Sequence, residues 1–93
     1  MNMPLLSEEE IGKQLRLIPG WSRAGNEIRK TFEFPGFAQA IGFITAVALF
    51  AEKANHHPDI DIRWNKVTLS LSTHSEGGLT GKDISLAKEI NSL

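Results

Sequence analysis

The chain has no cysteine among its 93 residues, and this absence removes several kinds of chemistry. Disulfides, thiolate metal sites and cysteine nucleophiles are all excluded. The chain also lacks a strong charge of either sign, because 10 basic and 11 acidic residues are interspersed and leave a formal net charge of −1. We therefore expect neither a basic face for direct nucleic-acid binding nor a polybasic segment for a membrane surface.

Targeting and phosphate-binding signals are missing as well. The first ten residues, M-N-M-P-L-L-S-E-E-E, turn acidic before an apolar signal core could form, which predicts a cytoplasmic protein without a cleaved targeting segment. No serine or threonine lies in a nucleophile elbow, and Gly77-Gly78 is too short to be a phosphate loop. The length of the chain suits a single domain over residues 1–93.

The first half of the chain predicts a helix followed by two strands. Ser7 and Glu10 fit a capping box, so a helix is expected to begin there and to end near residue 17, before Pro19-Gly20. Strands are predicted over 21–24 and 28–34, with a turn at Gly25-Asn26 between them.

The second half of the chain is predicted to contain two more strands, which lie between two helices. A helix is predicted over 37–54, then strands over 59–64 and 67–74 with a turn at 65–66, then a helix capped by Thr80 and Asp83. Trp64 is expected to be a core residue. Because both strand pairs have hairpin-length connections, we predict an α+β fold of order α-β-β-α-β-β-α: a four-stranded antiparallel sheet with helices on one face.

The 37–54 helix has no polar side. Only two clearly polar residues lie between positions 37 and 51, and the segment is too short and too interrupted for a bilayer, which needs ~20 apolar residues. One side can cover the sheet, and the simplest cover for the other is the same helix of another subunit. We therefore predict a homodimer or homotetramer through the 37–54 helix, in which a charge at Ala40, Phe43 or Val47 splits the assembly or unfolds the chain. A helix covered by loops is the alternative, although the chain has few loop residues.

The three histidines are predicted to meet at one end of the sheet. Pro58 disfavours helix at His57, so His56 lies near the helix end, one turn beyond Glu52, whose carboxylate is expected to stack against its imidazole. A hairpin turning at 65–66 places His74 opposite about residue 57. Asp83 lies at the start of the last helix, so the three imidazoles and two carboxylates are predicted to lie together in one site at this end of the sheet.

Three interpretations of this cluster remain open. The histidines could be polar residues at the ends of elements, without a function. Three imidazoles and a carboxylate could hold zinc, although adjacent histidines outside a helix rarely aim both rings at one ion. Imidazole can also give and take a proton near neutral pH, which would suit proton-transfer catalysis without a covalent intermediate.

The pattern E-x3-H-H-P-x5-W-x9-H-x8-D, from Glu52 to Asp83, resembles the signature of the pterin-4a-carbinolamine dehydratases. Flanking residues such as Trp21 and the G-L-T at 78–80 are similar to that family too, and the likeness runs from about residue 21 to residue 90. The resemblance implies dehydration of 4a-hydroxytetrahydropterin, such as 4a-hydroxytetrahydrobiopterin, to quinonoid dihydropterin and water in pterin regeneration. It also implies that no metal or organic cofactor is needed.

The resemblance implies an assembly and an alternative function. Family members are α+β proteins that pair sheets and central helices into dimers and tetramers. Some animal members also act as a dimerisation cofactor of a homeodomain transcription factor, so an oligomeric protein-interaction module is the alternative function.

Carried onto this chain, the resemblance makes His56, His57 and His74 the catalytic residues. We expect His57 and His74 to transfer the protons, and His56, with Glu52 behind it, to position the substrate. The expected substrate-binding residues are Glu52, Asn55, Pro58, Thr73, Ser75, Glu76, Lys82 and Asp83. The chain departs from the family at Asn55, where several members have aspartate, at Trp64, where many have tyrosine, and at Lys82, where many have arginine.

Overall fold

The structure, a computed structural model, describes residues 4–93, so the expectations for residues 1–3 lie outside the described part. The described chain has the predicted order α-β-β-α-β-β-α. The elements are α1 (Glu8–Leu15), β1 (Ser22–Ala24), β2 (Glu27–Glu33), α2 (Phe37–Ala54), β3 (Asp59–Arg63), β4 (Lys66–Leu71) and α3 (Gly81–Asn91), with a 3₁₀ turn at His74–Glu76 before α3. The predicted capping boxes begin α1 and α3, and α1 ends two residues before the predicted end.

The four strands form one antiparallel sheet in the order β1-β2-β4-β3, which confirms the predicted fold class. Directly opposed residues share a face, so the pairing of Ile28 with Leu71 and of Phe32 with Val67 builds an apolar face. Buried residues of α2 and α3, including Val47 and Ile90, belong to the same core cluster. The other face of the sheet is polar.

The β3–β4 hairpin differs from the prediction. Arg63 pairs with Lys66, so the turn lies at Trp64-Asn65, one residue earlier than predicted. Trp64 adopts a left-handed φ of 53° and is 69% exposed, so its assignment to the core was wrong. The alternation of apolar and polar residues in β3 suggested an inward Trp64, but the chain leaves the strand before reaching it.

The long helix α2 is buried on one side and open on the other. Ala40, Val47 and Ala51 face the core, whereas Phe37, Ile41 and Leu49 are exposed. By length and composition alone, α2 is the one helix in residues 4–93 that qualifies as a candidate membrane span, with a mean hydropathy of 1.3, although only 17% of it is buried. A core helix passes the same test, so one such helix is weak evidence for a membrane span.

The segment between β4 and α3 is fixed at both ends. Thr73 pairs with Gly78 across the 3₁₀ turn, and the amide of Thr73 donates to the Gly78 carbonyl at 2.8 Å. On the outer side, Leu5 pairs with Thr80, and the amide of Leu6 donates to the Leu79 carbonyl at 2.9 Å. Residues 73–80 are therefore held by backbone hydrogen bonds within the segment and to the residues before α1.

Candidate active site

The end of α2 separates the two adjacent histidines. Asn55 is the C-cap with a left-handed φ of 50°, a conformation that asparagine tolerates better than most residues. The amide of His56 then donates to the Ala51 carbonyl at 3.1 Å, which holds the chain against the last turn of the helix. This geometry gives His56 and His57 different surroundings: His56 is buried, and His57 is exposed.

The buried partner of His56 is Asp83, not Glu52 as predicted. His56 Nε2 lies 2.6 Å from Asp83 Oδ1, and the two side chains are 10% and 0% exposed. The second carboxylate oxygen, Oδ2, accepts hydrogen bonds from the Thr73 hydroxyl and from the Thr80 amide, each at 2.9 Å. The predicted capping role of Asp83 is confirmed, and the same carboxylate also holds His56.

These contacts decide where the proton of His56 lies. Both partners of Asp83 Oδ2 donate to it, so the carboxyl group acts as an acceptor there. An ionised carboxylate only accepts hydrogen bonds, so we assign the shared proton to His56 Nε2. The other ring nitrogen, Nδ1, makes no hydrogen bond within residues 4–93, and the only unsatisfied side-chain atom buried there is Oδ1 of Asn65. In the tautomer with its proton on Nε2, Nδ1 is therefore an accessible acceptor.

Glu52 lies beside His57 instead. Its Oε2 is 3.7 Å from His57 Nε2, and the two side chains are 78% and 58% exposed. The prediction that Glu52 stacks on His56 was wrong because the left-handed Asn55 ends the helical path, so the i, i+4 spacing no longer applies. An exposed pair of this kind is held weakly, since solvent screens it.

His74 begins the 3₁₀ turn and does not end a strand, because β4 stops at Leu71. Asp59 pairs with Ser70, and the same register extended beyond the strands would place residue 74 opposite residue 55. The predicted register was therefore two residues off. The conclusion drawn from it, that His74 lies near the other two histidines, is nevertheless correct.

The three imidazoles line one open cleft of about 270 Å³. Its walls are Asn55, His56, His57, Ser72, Thr73, His74, Ser75 and Lys82. Seven of these were predicted site residues, and Ser72 was missed because a small polar residue after a strand carries no signal of its own. Among the other predicted residues, Asp83 lies behind the wall, whereas Glu52, Pro58 and Glu76 do not line the cleft.

The ligand geometry does not suit a metal ion. Within residues 4–93, no group of three histidine, aspartate or glutamate side chains converges in a way that could hold one. Asp83 holds one ring nitrogen of His56, and the other ring nitrogen has no hydrogen-bond partner within the described residues. The cleft therefore offers proton donors and acceptors on a polar wall.

The comparisons with known proteins identify a family for the chain. The family model described as pterin 4 alpha carbinolamine dehydratase matches residues 4–93. A Roseiflexus castenholzii protein is 61% identical over 89 residues, covering 96% of each chain, and a Nocardia farcinica protein is 53% identical over 93 residues, covering 100% of this chain and 98% of that one. Both carry the provisional name pterin-4-alpha-carbinolamine dehydratase.

A solved structure supports the same relationship. The crystal structure described as a transcriptional coactivator/pterin dehydratase from Brucella melitensis superimposes with a TM-score of 0.91. The two chains are 39% identical, and the match covers 95% of this chain and 96% of the other. From the full-length family match and this agreement in fold, the chain belongs to the pterin 4 alpha carbinolamine dehydratase family.

Proposed function

We propose that this protein dehydrates 4a-hydroxytetrahydropterins, such as 4a-hydroxytetrahydrobiopterin, to quinonoid dihydropterins. The observation that carries the proposal is the convergence of His56, His57 and His74 on one cleft, with the buried Asp83 bonded to His56. The family membership and the names of the relatives support the same substrate class.

The reaction needs two proton transfers and no electron transfer. The N5–H proton leaves, its electron pair forms the C4a=N5 bond, and the C4a–O bond breaks. The departing hydroxyl takes up a proton and leaves as water. One general base and one general acid on the wall of the cleft are sufficient, and each is typically worth ~10²–10⁴-fold in rate.

We assign the general base to His56, in place of the positioning role expected from the sequence. Its Nδ1 is free to accept a proton, and the Asp83 carboxylate, bonded to Nε2, stabilises the imidazolium that forms. A buried aspartate that orients a histidine in this way is the arrangement of the serine protease triad. His57 and His74, which are more exposed, supply the proton to the departing hydroxyl.

The remaining wall residues bind the substrate in this proposal. Asn55, Ser75 and Lys82 offer polar atoms to the edge of a flat ring, whereas the hydroxyl of Thr73 is directed at Asp83. Glu52 acts through its contact with His57. Pro58 and Glu76, which do not line the cleft, are assigned to its rim.

The test is the decay of 4a-hydroxytetrahydropterin, generated in solution and followed by absorbance with and without purified protein. We expect acceleration at catalytic protein concentrations, and a loss of ~10²-fold or more in kcat for His56→Ala. Asp61→Asn is the matched control, because Asp61 is an exposed acid on the polar face of the sheet. Decay at the uncatalysed rate with the wild-type protein would reject this function.

We also propose that the open side of α2 pairs with α2 of a second copy of this chain, in a homodimer or homotetramer. Phe37, Ile41 and Leu49 are exposed on this helix, and a chain of this size gains core by association. Thr45 on the same helix donates its hydroxyl to the Ile41 carbonyl at 3.1 Å, so it can be buried without losing its hydrogen bond.

A charge on the open side tests the assembly. Leu49→Lys is expected to split it, as measured by sedimentation equilibrium, because an unpaired buried charge is costly. Leu17→Lys is the control, since Leu17 is 60% exposed against 69% for Leu49 and lies outside α2. Ala40 and Val47 are unsuitable test positions, because they face the core of the subunit and a charge there would unfold it. A wild-type protein that sediments as a monomer would contradict the assembly.

The exposed side of α2 also favours one second function, docking of another protein, and the Brucella melitensis relative is described as a transcriptional coactivator as well as a dehydratase. The two functions differ in what they require. A docking function needs the open side of α2 and not the histidines. A wild-type protein that lacks dehydratase activity and sediments as a monomer, so that this side of α2 stays open, would favour docking.

A further inference from the structure

The hydroxyl groups of Thr73 and Thr80 form a chain of hydrogen bonds whose direction the contacts determine. The Lys82 amide donates to Thr80 Oγ1 at 3.2 Å, and Thr73 Oγ1 donates to Asp83 Oδ2 at 2.9 Å. The two hydroxyl oxygens are 2.8 Å apart. Each hydroxyl has one hydrogen, and that of Thr73 is already given to Asp83, so Thr80 donates to Thr73. The order is therefore Thr80 to Thr73 to Asp83.

We propose that Thr73 and Thr80 are positioning residues, whose hydroxyl relay orients the Asp83 carboxylate and thereby fixes His56 as the tautomer with its proton on Nε2. This inference rests on the proposed function for its catalytic consequence. The relay occupies Oδ2 of the carboxylate, so Oδ1 is left to face His56. A second donor on Oδ2, the Thr80 amide, prevents the group from rotating.

The relay goes beyond helix capping. An N-cap needs only an acceptor, and Thr80 meets that need by accepting from the Lys82 amide. Its hydroxyl hydrogen is not required for the cap, yet it is directed at Thr73, a buried residue outside α3. The hydrogen-bonding capacity of Thr80 is thus divided between the helix and the site.

The surroundings of His56 contain few other groups that could set its tautomer. Asp83 is the only charged group bonded to the ring within residues 4–93. Lys82, His57 and His74 line the same cleft, and Glu52 is paired with His57. The orientation of the Asp83 carboxylate is therefore the main control on the position of the proton.

The first test is nuclear magnetic resonance of ¹⁵N-labelled protein, which reads the tautomer directly and does not depend on turnover. We expect wild-type His56 to carry its proton on Nε2 and this proton to exchange slowly with water. In Thr73→Val the exchange should be faster by about tenfold or more, since a hydrogen bond to a charged group is worth at least that factor. Thr73→Ser and Thr80→Ser keep the hydroxyl and should retain the wild-type spectrum.

The second test is kinetic. Thr73→Val should lower kcat about tenfold, part of the ~10²–10⁴-fold of a general base, with little change in KM. Thr73→Ser should restore it. Thr31→Val is the control, because Thr31 and Thr68 form a similar hydroxyl pair at 2.9 Å on the exposed side of the sheet.

The outcomes separate the relay from the proposed function. A wild-type His56 protonated on Nδ1 would overturn the relay even if Thr73→Val did not fold. So would a Thr73→Val protein whose Nε2 proton exchanges as in the wild type. A protein that lacks dehydratase activity but shows the expected spectra would retain the relay and lose the function.

Discussion

Replacement of Asp83 by asparagine is expected to change the tautomer of His56 without leaving a cavity at position 83. The asparagine oxygen can keep the bonds from the Thr73 hydroxyl and the Thr80 amide, each 2.9 Å from the present Oδ2. The NH₂ group then takes the place of Oδ1, 2.6 Å from His56 Nε2. Two donors cannot bond each other, so His56 must accept at Nε2 and carry its proton on Nδ1.

The expected loss is catalytic more than structural. With Nδ1 protonated, the ring no longer accepts the N5 proton, so kcat should fall by ~10²–10⁴-fold, the usual value of a general base. Asp83→Asn keeps three hydrogen bonds and loses only their charge assistance, about 1 kcal/mol of unfolding free energy for each bond. Asp83→Ala would instead leave three buried donors unpaired, at about 1–3 kcal/mol each. That sum is comparable to the whole stability of a small domain, ~5–15 kcal/mol.

The assay combines steady-state dehydration kinetics with urea denaturation of the same preparations. Asp61→Asn is the control, an exposed carboxylate 3.2 Å from Arg63, and its unfolding free energy should stay within about 0.5 kcal/mol of the wild type. An Asp83→Asn protein that is folded and keeps kcat within about twofold of the wild type would refute the assignment of His56 as base.

Three further predictions concern dialysis against a chelator, the proton-donating histidines His57 and His74, and Glu10 in the first helix. Activity should survive dialysis against a strong chelator, and a loss restored by zinc would overturn the acid–base mechanism. His57→Ala and His74→Ala should each lower kcat by roughly 10²-fold or less, and the double variant by less than the product of the two losses, as measured by steady-state kinetics; a multiplicative loss would mean that they act independently. The hydrogen bond from the Ser7 backbone, and then that from the Ser7 side chain, lower the pKa of Glu10. The ionised Glu10 side chain therefore stabilises the fold fully above the ordinary pKa of a glutamate, and this stabilisation is lost as the pH falls through the lowered pKa of the folded state. The wild type should therefore be more stable than Glu10→Gln at neutral pH and equal to it in acid, and a difference independent of pH would contradict this linkage.

Much of the fold follows from local patterns in the sequence. The long apolar run predicted α2, Phe37–Ala54, and turn residues predicted the turn at Gly25-Asn26. The turn at Trp64-Asn65 was not predicted, because a bulky residue with a positive φ is uncommon and no local sequence pattern indicates one here. The two sides of α2 were equally apolar in sequence, so only packing decides that Val47 is buried and Leu49 is exposed.

Most residues of the site were predicted from the sequence, but the contacts between their side chains were not. The adjacent histidines and Pro58 marked the end of α2, and His74 was expected nearby. The bond between His56 and Asp83 joins residues 27 positions apart, through a segment whose path depends on the 3₁₀ turn. Helical spacing suggested Glu52 as the partner, but the helix ends at Ala54, two residues before His56, so this spacing does not apply. The cytoplasmic location and the absence of membrane, nucleic-acid and cofactor binding stay predictions.

The most direct measurement of the central claim is a crystal structure of the protein with 5,6,7,8-tetrahydropterin, a substrate analogue that lacks the 4a-hydroxyl group and keeps the N5–H group. We expect the flat ring in the cleft lined by His56, His57 and His74, with N5 within hydrogen-bond distance of His56 Nδ1. A ring bound at another surface, or one whose N5 faces away from all three imidazoles, would contradict the claim that these histidines dehydrate the pterin.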